Sequence, residues 1–218
     1  MTQNNILNAA DYADALLTAK RAKNLVFQLL LLILLIQLGL FFTARYTTLL
    51  LTPANPNGRN WTELVRYLVG LTDFLGIVLA LLFAGVVCLL LKVLLVGRLV
   101  GVARLTSALI WSMFLVLLLF PWQSFLNNPT LLPSDAVSNS LGLKLPGVLY
   151  TWAELAHPQL GANFAGHGDL PFLILRWARF VGWPVVAVLM LLTIQYKSSQ
   201  GLRQALGNDI VLPRSPSV

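Results

Sequence analysis

The 218-residue chain is 57% hydrophobic, has only 11% charged residues and reaches a mean hydropathy of +0.77. A typical soluble domain carries about 25% charged residues, so this composition excludes an ordinary water-soluble fold and indicates an integral membrane protein. The net charge of +7 does not indicate nucleic-acid binding, because the basic residues flank apolar runs instead of forming one patch. The single cysteine, Cys88, excludes an internal disulfide and a cysteine-cluster metal site.

The first apolar run, "KRAKNLVFQLLLLILLIQLGLFF", begins at residue 20 with three cations and continues without a charge. Residues 24–44 are long enough to cross a hydrocarbon core of about 30 Å at about 1.5 Å per residue. The run is longer than the apolar region of a signal peptide, so we expect a retained first span. Residues 1–23 should form an amphipathic helix that lies on the membrane or docks on a partner. Its apolar residues stand at helical spacing: Ile6, Leu7, Ala10, Ala13 and Leu17.

Three further apolar runs predict spans at residues 68–91, 105–122 and 172–196. Pro184 lies inside the last of these, and we expect it to kink or locally unwind the helix. The fold class is therefore all-α, with four transmembrane helices. The predicted segments between and beyond the spans are a cytoplasmic helix (1–23), an extracytoplasmic loop (45–67), a basic cytoplasmic connection (92–104), a long extracytoplasmic loop (123–171) with a short helix at 147–156, and a cytoplasmic tail (197–218).

The distribution of lysine and arginine predicts the orientation, because these residues are enriched on the cytoplasmic side. Nine lie on the side of both termini, and four, or six with a boundary pair, lie on the other. We therefore expect cytoplasmic termini, in a plasma membrane or bacterial inner membrane. The nine are Lys20, Arg21, Lys23, Lys92, Arg98, Arg104, Lys197, Arg203 and Arg214; the others are Arg45, Arg59, Arg66 and Lys144, with Arg176 and Arg179 at the boundary.

Small residues recur every four positions along the second span. In lipid, this spacing lets two helix backbones approach closely. We expect a helix-packing seam, either inside the bundle or against another subunit. A lipid or quinone groove is the weaker alternative, since only the first member could hold a polar head. The seam residues are Thr72, Gly76, Ala80, Ala84 and Cys88.

Asp73 is the acid that lies deepest in an apolar run. By helical rise, it lies at a depth similar to that of Arg176 and Arg179 in the fourth span. An ion pair with either arginine is one interpretation, and it would be structural or part of a proton or ion pathway. The alternative is that all three charges lie at the boundary and extend to water.

The long loop contains Glu154 and His157, three residues apart on the predicted short helix. One Glu-x-x-His pair resembles half of a di-iron carboxylate site, and His167 and Asp169 follow nearby. The match is nonspecific, so we expect no metal and no cofactor, although bound lipids fit the basic flanks. The sequence also lacks a phosphate-binding glycine-rich loop, GxSxG, HExxH and a cysteine pair.

These observations favour a non-catalytic accessory or scaffold subunit of a larger membrane complex, not an enzyme. Its expected partners are other membrane subunits in a hetero-oligomer, and phospholipids, but not nucleic acid. One alternative is a small transporter or channel subunit that uses Asp73 with Arg176 or Arg179. A second alternative is a membrane enzyme with an extracytoplasmic metal site.

Overall fold

A computed structural model describes residues 2–46, 61–120, 148–150, 152–155, 174 and 177–207. For residues 2–13, 61–62 and 153–154 only the backbone is described. Within these ranges every regular element is a helix, and four helices are long and apolar enough to cross a membrane. The prediction of an all-helical fold with four helices able to span a membrane is therefore confirmed for the described residues.

The helices run as follows: α1 Thr2–Tyr46, α2 Trp61–Val96, α3 Val102–Leu119, α4 Trp152–Leu155, a π-helical segment Ala178–Gly182, and α5 Trp183–Ala205. The four long helices pack in a ring in which α1 contacts α2, α2 contacts α3, α3 contacts α5, and α5 contacts α1.

The first helix is longer than the predicted span, because the expected amphipathic helix and the first span are one continuous helix, α1. Residues 2–46 contain no proline, so nothing in the backbone chemistry interrupts the helix between its polar start and its apolar part. Leu16 lies in the polar part and is buried against Leu90 and Leu94 of α2. The packed bundle therefore extends past the predicted start of the span.

A central core joins all four helices and a piece of the long loop. Its residues expose little surface. Close packing is what stabilises them, since lipid tails offer no hydrophobic drive for helix association. The buried members are Leu30, Leu34, Ala80, Phe83, Val87, Ala108, Leu115, Leu119, Val148, Leu149, Ala187, Leu191 and Ile194.

The two ends of the bundle have different cores. At the end where α1 begins, which we call the basic end, the buried residues are Leu16, Leu90, Leu94, Leu105 and Leu202. At the other end, which we call the aromatic end, they are Phe41, Ala44, Val69, Tyr150 and Leu155, with Trp152 and Phe180 packed against them.

Within the stretch predicted as a short helix, 147–156, the described residues Trp152–Leu155 are helical. Val148, Leu149 and Tyr150 are buried but not helical. The backbone N–H of Tyr150 donates to the side chain of Gln37 on α1, 3.3 Å away. A side chain of the bundle therefore takes the hydrogen bond that a helix would have used, and residues 148–150 pack in the bundle as non-helical chain.

Candidate functional site

A polar cluster centred on Gln37 lies in the aromatic end of the bundle. The Gln37 side chain is 1% exposed, and its Nε2 donates to Thr72 Oγ1 at 2.7 Å and to Asp73 Oδ1 at 2.8 Å. Its Oε1 accepts from the Tyr150 N–H. One glutamine therefore joins α1, α2 and the loop segment 148–150. We call Gln37, Thr72, Asp73 and Tyr150 the Gln37 cluster.

Thr72 is 5% exposed, and its hydroxyl lies 2.9 Å from the carbonyl oxygens of Leu68 and Val69. The hydroxyl proton goes to its own helix, and the oxygen is left to accept from Gln37. Asp73 is half-buried. The cluster thus supplies a half-buried carboxylate with a donor from a buried amide, which lowers the cost of keeping a charged group at this depth.

The Tyr150 hydroxyl donates to the backbone carbonyl of Phe180 in the π-helical segment. Pro184 stands four residues after Phe180 and has no N–H, so it removes the donor that an α-helix would offer to this carbonyl. The predicted local unwinding before Pro184 is thus a π-helical segment, in which the Trp183 N–H bonds to the Ala178 carbonyl. The Tyr150 hydroxyl therefore supplies the Phe180 carbonyl with a donor in place of the N–H that Pro184 lacks.

Aromatic rings surround this hydrogen bond. Phe41 stacks on Phe180 with ring centroids 5.1 Å apart, and Tyr150 lies 5.8 Å from both. Trp177 meets Phe41 edge-on at 6.4 Å. The rings fix the position of Tyr150, so the loop segment is held by packing as well as by hydrogen bonds.

The predicted seam on α2 faces the interior over most of its length. Thr72, Gly76, Ala80 and Ala84 are buried, and Cys88 is half-buried. A Cβ atom at Gly76 would lie 3.4 Å from both δ-carbons of Leu149 and 3.7 Å from Ile33 Cγ2 of α1. At this position, the small residue makes room for the loop segment and for α1.

The predicted ion pair stays a prediction. Arg176 lies outside the described residues. The guanidinium of Arg179 lies over the Phe180 ring, 5.6 Å from its centroid, and Asp73 accepts from Gln37. Depth along the helices predicted that Asp73 lies beside the arginines, but the described group that contacts it is the side-chain amide of Gln37, which carries no charge to indicate such a contact.

Most of the weak metal candidates lie outside the described residues: His157, His167 and Asp169. Glu154 belongs to α4, and only its backbone is described. Among the described side chains, no group of three or more His, Cys, Asp or Glu could hold a metal ion. The metal hypothesis is therefore neither supported nor contradicted.

A second polar cluster, at the basic end, was missed in the sequence. Lys23 was counted only as a flanking charge, but it is 0% exposed and donates to Ser198 Oγ at 2.9 Å and Ser199 Oγ at 3.0 Å. Next to it, Gln195 Nε2 donates to Asn24 Oδ1 at 2.9 Å. These bonds connect α1 to α5. The signal in the sequence was the pair of serines directly after the last apolar run.

We compared the chain with protein-family models, with characterised proteins and with solved structures, and none of the three comparisons found a match.

Proposed function

We propose that this protein is a non-catalytic accessory subunit of a larger assembly in a plasma membrane or bacterial inner membrane, with cytoplasmic termini, and that it acts through helix packing and docking. One observation carries the proposal: closely packed apolar side chains fill the interior between the two polar clusters. Gln37 and Lys23 are fourteen residues apart, or about 21 Å along α1. Between them, Leu30 and Leu34 are at most 1% exposed, and Phe83 of α2 is fully buried beside them.

This packing favours a mechanical role over a conducting one. A carrier places polar groups along the route of its substrate, and such groups are costly in a membrane unless they serve that purpose. Here the described side-chain bonds between helices lie at the two ends, and the one buried polar side chain described midway along α3, Ser112, donates to the Leu109 carbonyl of its own helix at 2.7 Å. The interior therefore supports a rigid body that holds its own helices and the loop segment in place.

The length of α1 supports docking. Its 45 residues span about 68 Å, whereas a hydrocarbon core is about 30 Å thick. A large part of the helix therefore projects from the membrane or lies at its surface. Leu17, near the start of the described side chains of α1, is 43% exposed, whereas its neighbour Leu16 is buried in the bundle. An exposed leucine at this end of α1 is a suitable contact for a partner subunit.

The test is the mass of the native particle extracted in mild detergent, with every co-purifying chain identified by mass spectrometry. We expect a particle well above the 24.0 kDa of one chain, containing unrelated membrane subunits. A particle of 24.0 kDa, or a simple multiple of it with no other chain, would contradict the proposal.

A variant pair sharpens this test. Leu17→Gln should reduce the amount of co-purifying subunit without unfolding the chain, because the side chain is exposed. Thr18→Gln is the matched control, since Thr18 is also exposed on the same turn. Equal retention of partners in both variants would remove this face of α1 as the docking element.

The second candidate is a transporter or channel subunit, and one observation favours it: a half-buried carboxylate, Asp73, contacts a buried amide, Gln37, within a membrane-spanning helix. Proton flux into liposomes containing the protein tests it. A carrier that uses Asp73 would lose flux in Asp73→Asn and keep it in Glu63→Gln, a control at an exposed acid near the start of α2. The accessory role predicts the same flux in both variants and in the unaltered protein.

A further inference from the structure

Two cations bridge α3 and α5 at the basic end. Arg104 of α3 is exposed and donates to Gln200 Oε1 at 2.6 Å. Lys197 of α5 donates to Ser107 Oγ at 2.8 Å. Each of these partners is neutral and takes one hydrogen bond, whereas arginine has five N–H donors and lysine has three. Both cations therefore keep donors for an anion.

A glycine contact brings these two helices together. A Cβ atom at Gly101 would lie 2.4 Å from the Gly201 carbonyl oxygen, and one at Gly201 would lie 3.6 Å from Arg104 Cβ. Lys197 stands one helical turn before Gly201. The crossing of α3 and α5 thus sets the backbone positions of Arg104 and Lys197, whose side chains bond to the facing helix on neighbouring turns.

An apolar groove continues along α3 from the cations. Lys197 Nζ lies 5.6 Å from the centroid of the Trp111 ring, and that ring lies 6.3 Å from Phe114. Beyond Trp111, the surface forms an open groove of about 580 Å³ with an almost entirely apolar lining. The lining residues are Ile110, Met113, Phe114, Val116, Leu117 and Phe120. A cationic site and an apolar groove therefore follow each other along one helix.

We propose that this surface binds an anionic phospholipid, with the phosphate between Arg104 and Lys197 and one acyl chain in the apolar groove. The order of the two parts matches the order of headgroup and tail in a leaflet. Basic pockets between membrane helices are a recurring site for anionic headgroups. Among the described side chains of the basic end, Asp14 on α1 is the one acid, so the charge there favours a negative ligand.

The experiment is native mass spectrometry of the full chain after exposure to equal amounts of phosphatidylglycerol and phosphatidylcholine with identical acyl chains. The two lipids share the glycerophosphate and the tails and differ in net charge. We expect phosphatidylglycerol to be retained in excess. Arg104→Gln and Lys197→Gln should each lower its retention about fivefold, the loss expected for one cation near a headgroup. Arg104→Lys and Lys197→Arg should restore most of it and show that the fold survives changes at these positions.

The control is Lys92→Gln, which removes an exposed cation of α2 at the same end. It should leave the retention of phosphatidylglycerol unchanged. Equal retention of the two lipids would overturn the proposal, and so would a loss in Lys92→Gln as large as in the groove variants, since that would show attraction to the overall charge. Displacement of the lipid by inorganic phosphate at millimolar concentration would also overturn it, because the groove would then be an anion site without a role for the tail.

Discussion

The two ends of the bundle hold their helices together with different chemistry. At the aromatic end, an amide, a hydroxyl, a half-buried carboxylate and a backbone N–H satisfy one another around Gln37. At the basic end, the bonds run from Lys23, Arg104 and Lys197 to hydroxyl and amide oxygens. The aromatic end holds a loop segment inside the bundle, so its polar groups depend on each other. The basic end joins helices directly, and its cations have donors to spare.

The comparison implies that removing polar groups should lower the free energy of unfolding more at the aromatic end. The basic end should instead be sensitive to changes in backbone packing.

The largest effect is expected at Gly101, which has φ +101° and would place a Cβ atom 2.4 Å from the Gly201 carbonyl oxygen. Gly101→Ala should lower the free energy of unfolding by about 3 kcal/mol, from backbone strain and steric overlap together. Titration of the protein with a denaturing detergent measures this free energy.

Gly85→Ala is the control for Gly101→Ala, because nothing lies within 4 Å of its Cβ position. It should leave stability unchanged or raise it by up to about 1 kcal/mol, as expected for replacing glycine inside a helix. Similar effects of the two alanines would show that the α3–α5 crossing is looser than the structure has it.

Gly76→Leu tests the seam at the aromatic end. The new side chain would meet Leu149 and Ile33, which already lie 3.4 and 3.7 Å from the Cβ position. Overpacking should cost about 2–3 kcal/mol and should displace the loop segment 148–150. Limited proteolysis of the long loop, together with detergent titration, measures both effects.

Gly70→Leu is the matched control on the same helix, since Gly70 is exposed and has nothing within 4 Å of its Cβ position. Stability and proteolysis that match the unaltered protein are expected for it. If Gly76→Leu also behaved like the unaltered protein, the small residue at position 76 would have no role in packing.

Gln37→Leu tests directly whether the stability of the aromatic end depends on its polar groups. The change replaces the amide by an apolar side chain of similar size and removes its hydrogen bonds to Thr72, to Asp73 and from the Tyr150 N–H. Loss of these bonds should lower the free energy of unfolding by about 2 kcal/mol. Gln28→Leu on the exposed face of α1 should cause no loss. Equal stability of the two variants would mean that the Gln37 cluster contributes nothing to the fold.

The sequence predicts the helices far better than it predicts the cluster that holds them. Uncharged runs of about twenty residues determine where helices can cross a membrane, and this property is local. The Gln37 cluster is not local, because it brings together residues 37, 72, 73 and 150, which are separated by up to 113 positions. A glutamine in a span indicates that a partner is needed, but its partner here includes a backbone N–H in a loop, and no periodicity marks that group.

The same reason explains why residues 148–150 are not helical. Pro146 and Pro158 bracket a plausible helical stretch, and Val148, Leu149, Trp152 and Leu155 stand at helical spacing. Val148, Leu149 and Leu155 are buried, at most 7% exposed. The backbone differs because Gln37 takes the Tyr150 N–H, and tertiary contacts of this kind override local preference.

Tyr150→Phe tests whether the hydroxyl compensates for Pro184. The ring keeps its packing against Phe41 and Phe180, so only the hydrogen bond to the Phe180 carbonyl is lost. The expected cost is about 1 kcal/mol. In a Pro184→Ala background, the restored N–H at position 184 can serve the same carbonyl, and the cost of Tyr150→Phe should fall towards zero. An equal cost in both backgrounds would show that the two residues act independently.

The smallest effect is expected at the basic end, at Lys23. Lys23→Met keeps the length of the side chain and removes the buried ammonium together with its bonds to Ser198 and Ser199. Replacing a buried charge by an apolar side chain of similar volume is often neutral, so the change in unfolding free energy should stay below about 1 kcal/mol.

Ser198→Ala provides the contrast, because it removes an acceptor and leaves the ammonium buried. It should cost about 1 kcal/mol, and adding Lys23→Met to it should recover most of that loss, since the group that needed the acceptor is then gone. A loss near 3 kcal/mol for Lys23→Met alone would instead indicate that the ammonium is tied to an acid, since breaking a buried ion pair costs about that much. The contrast between the ends would then disappear, because both would depend on polar groups that satisfy one another.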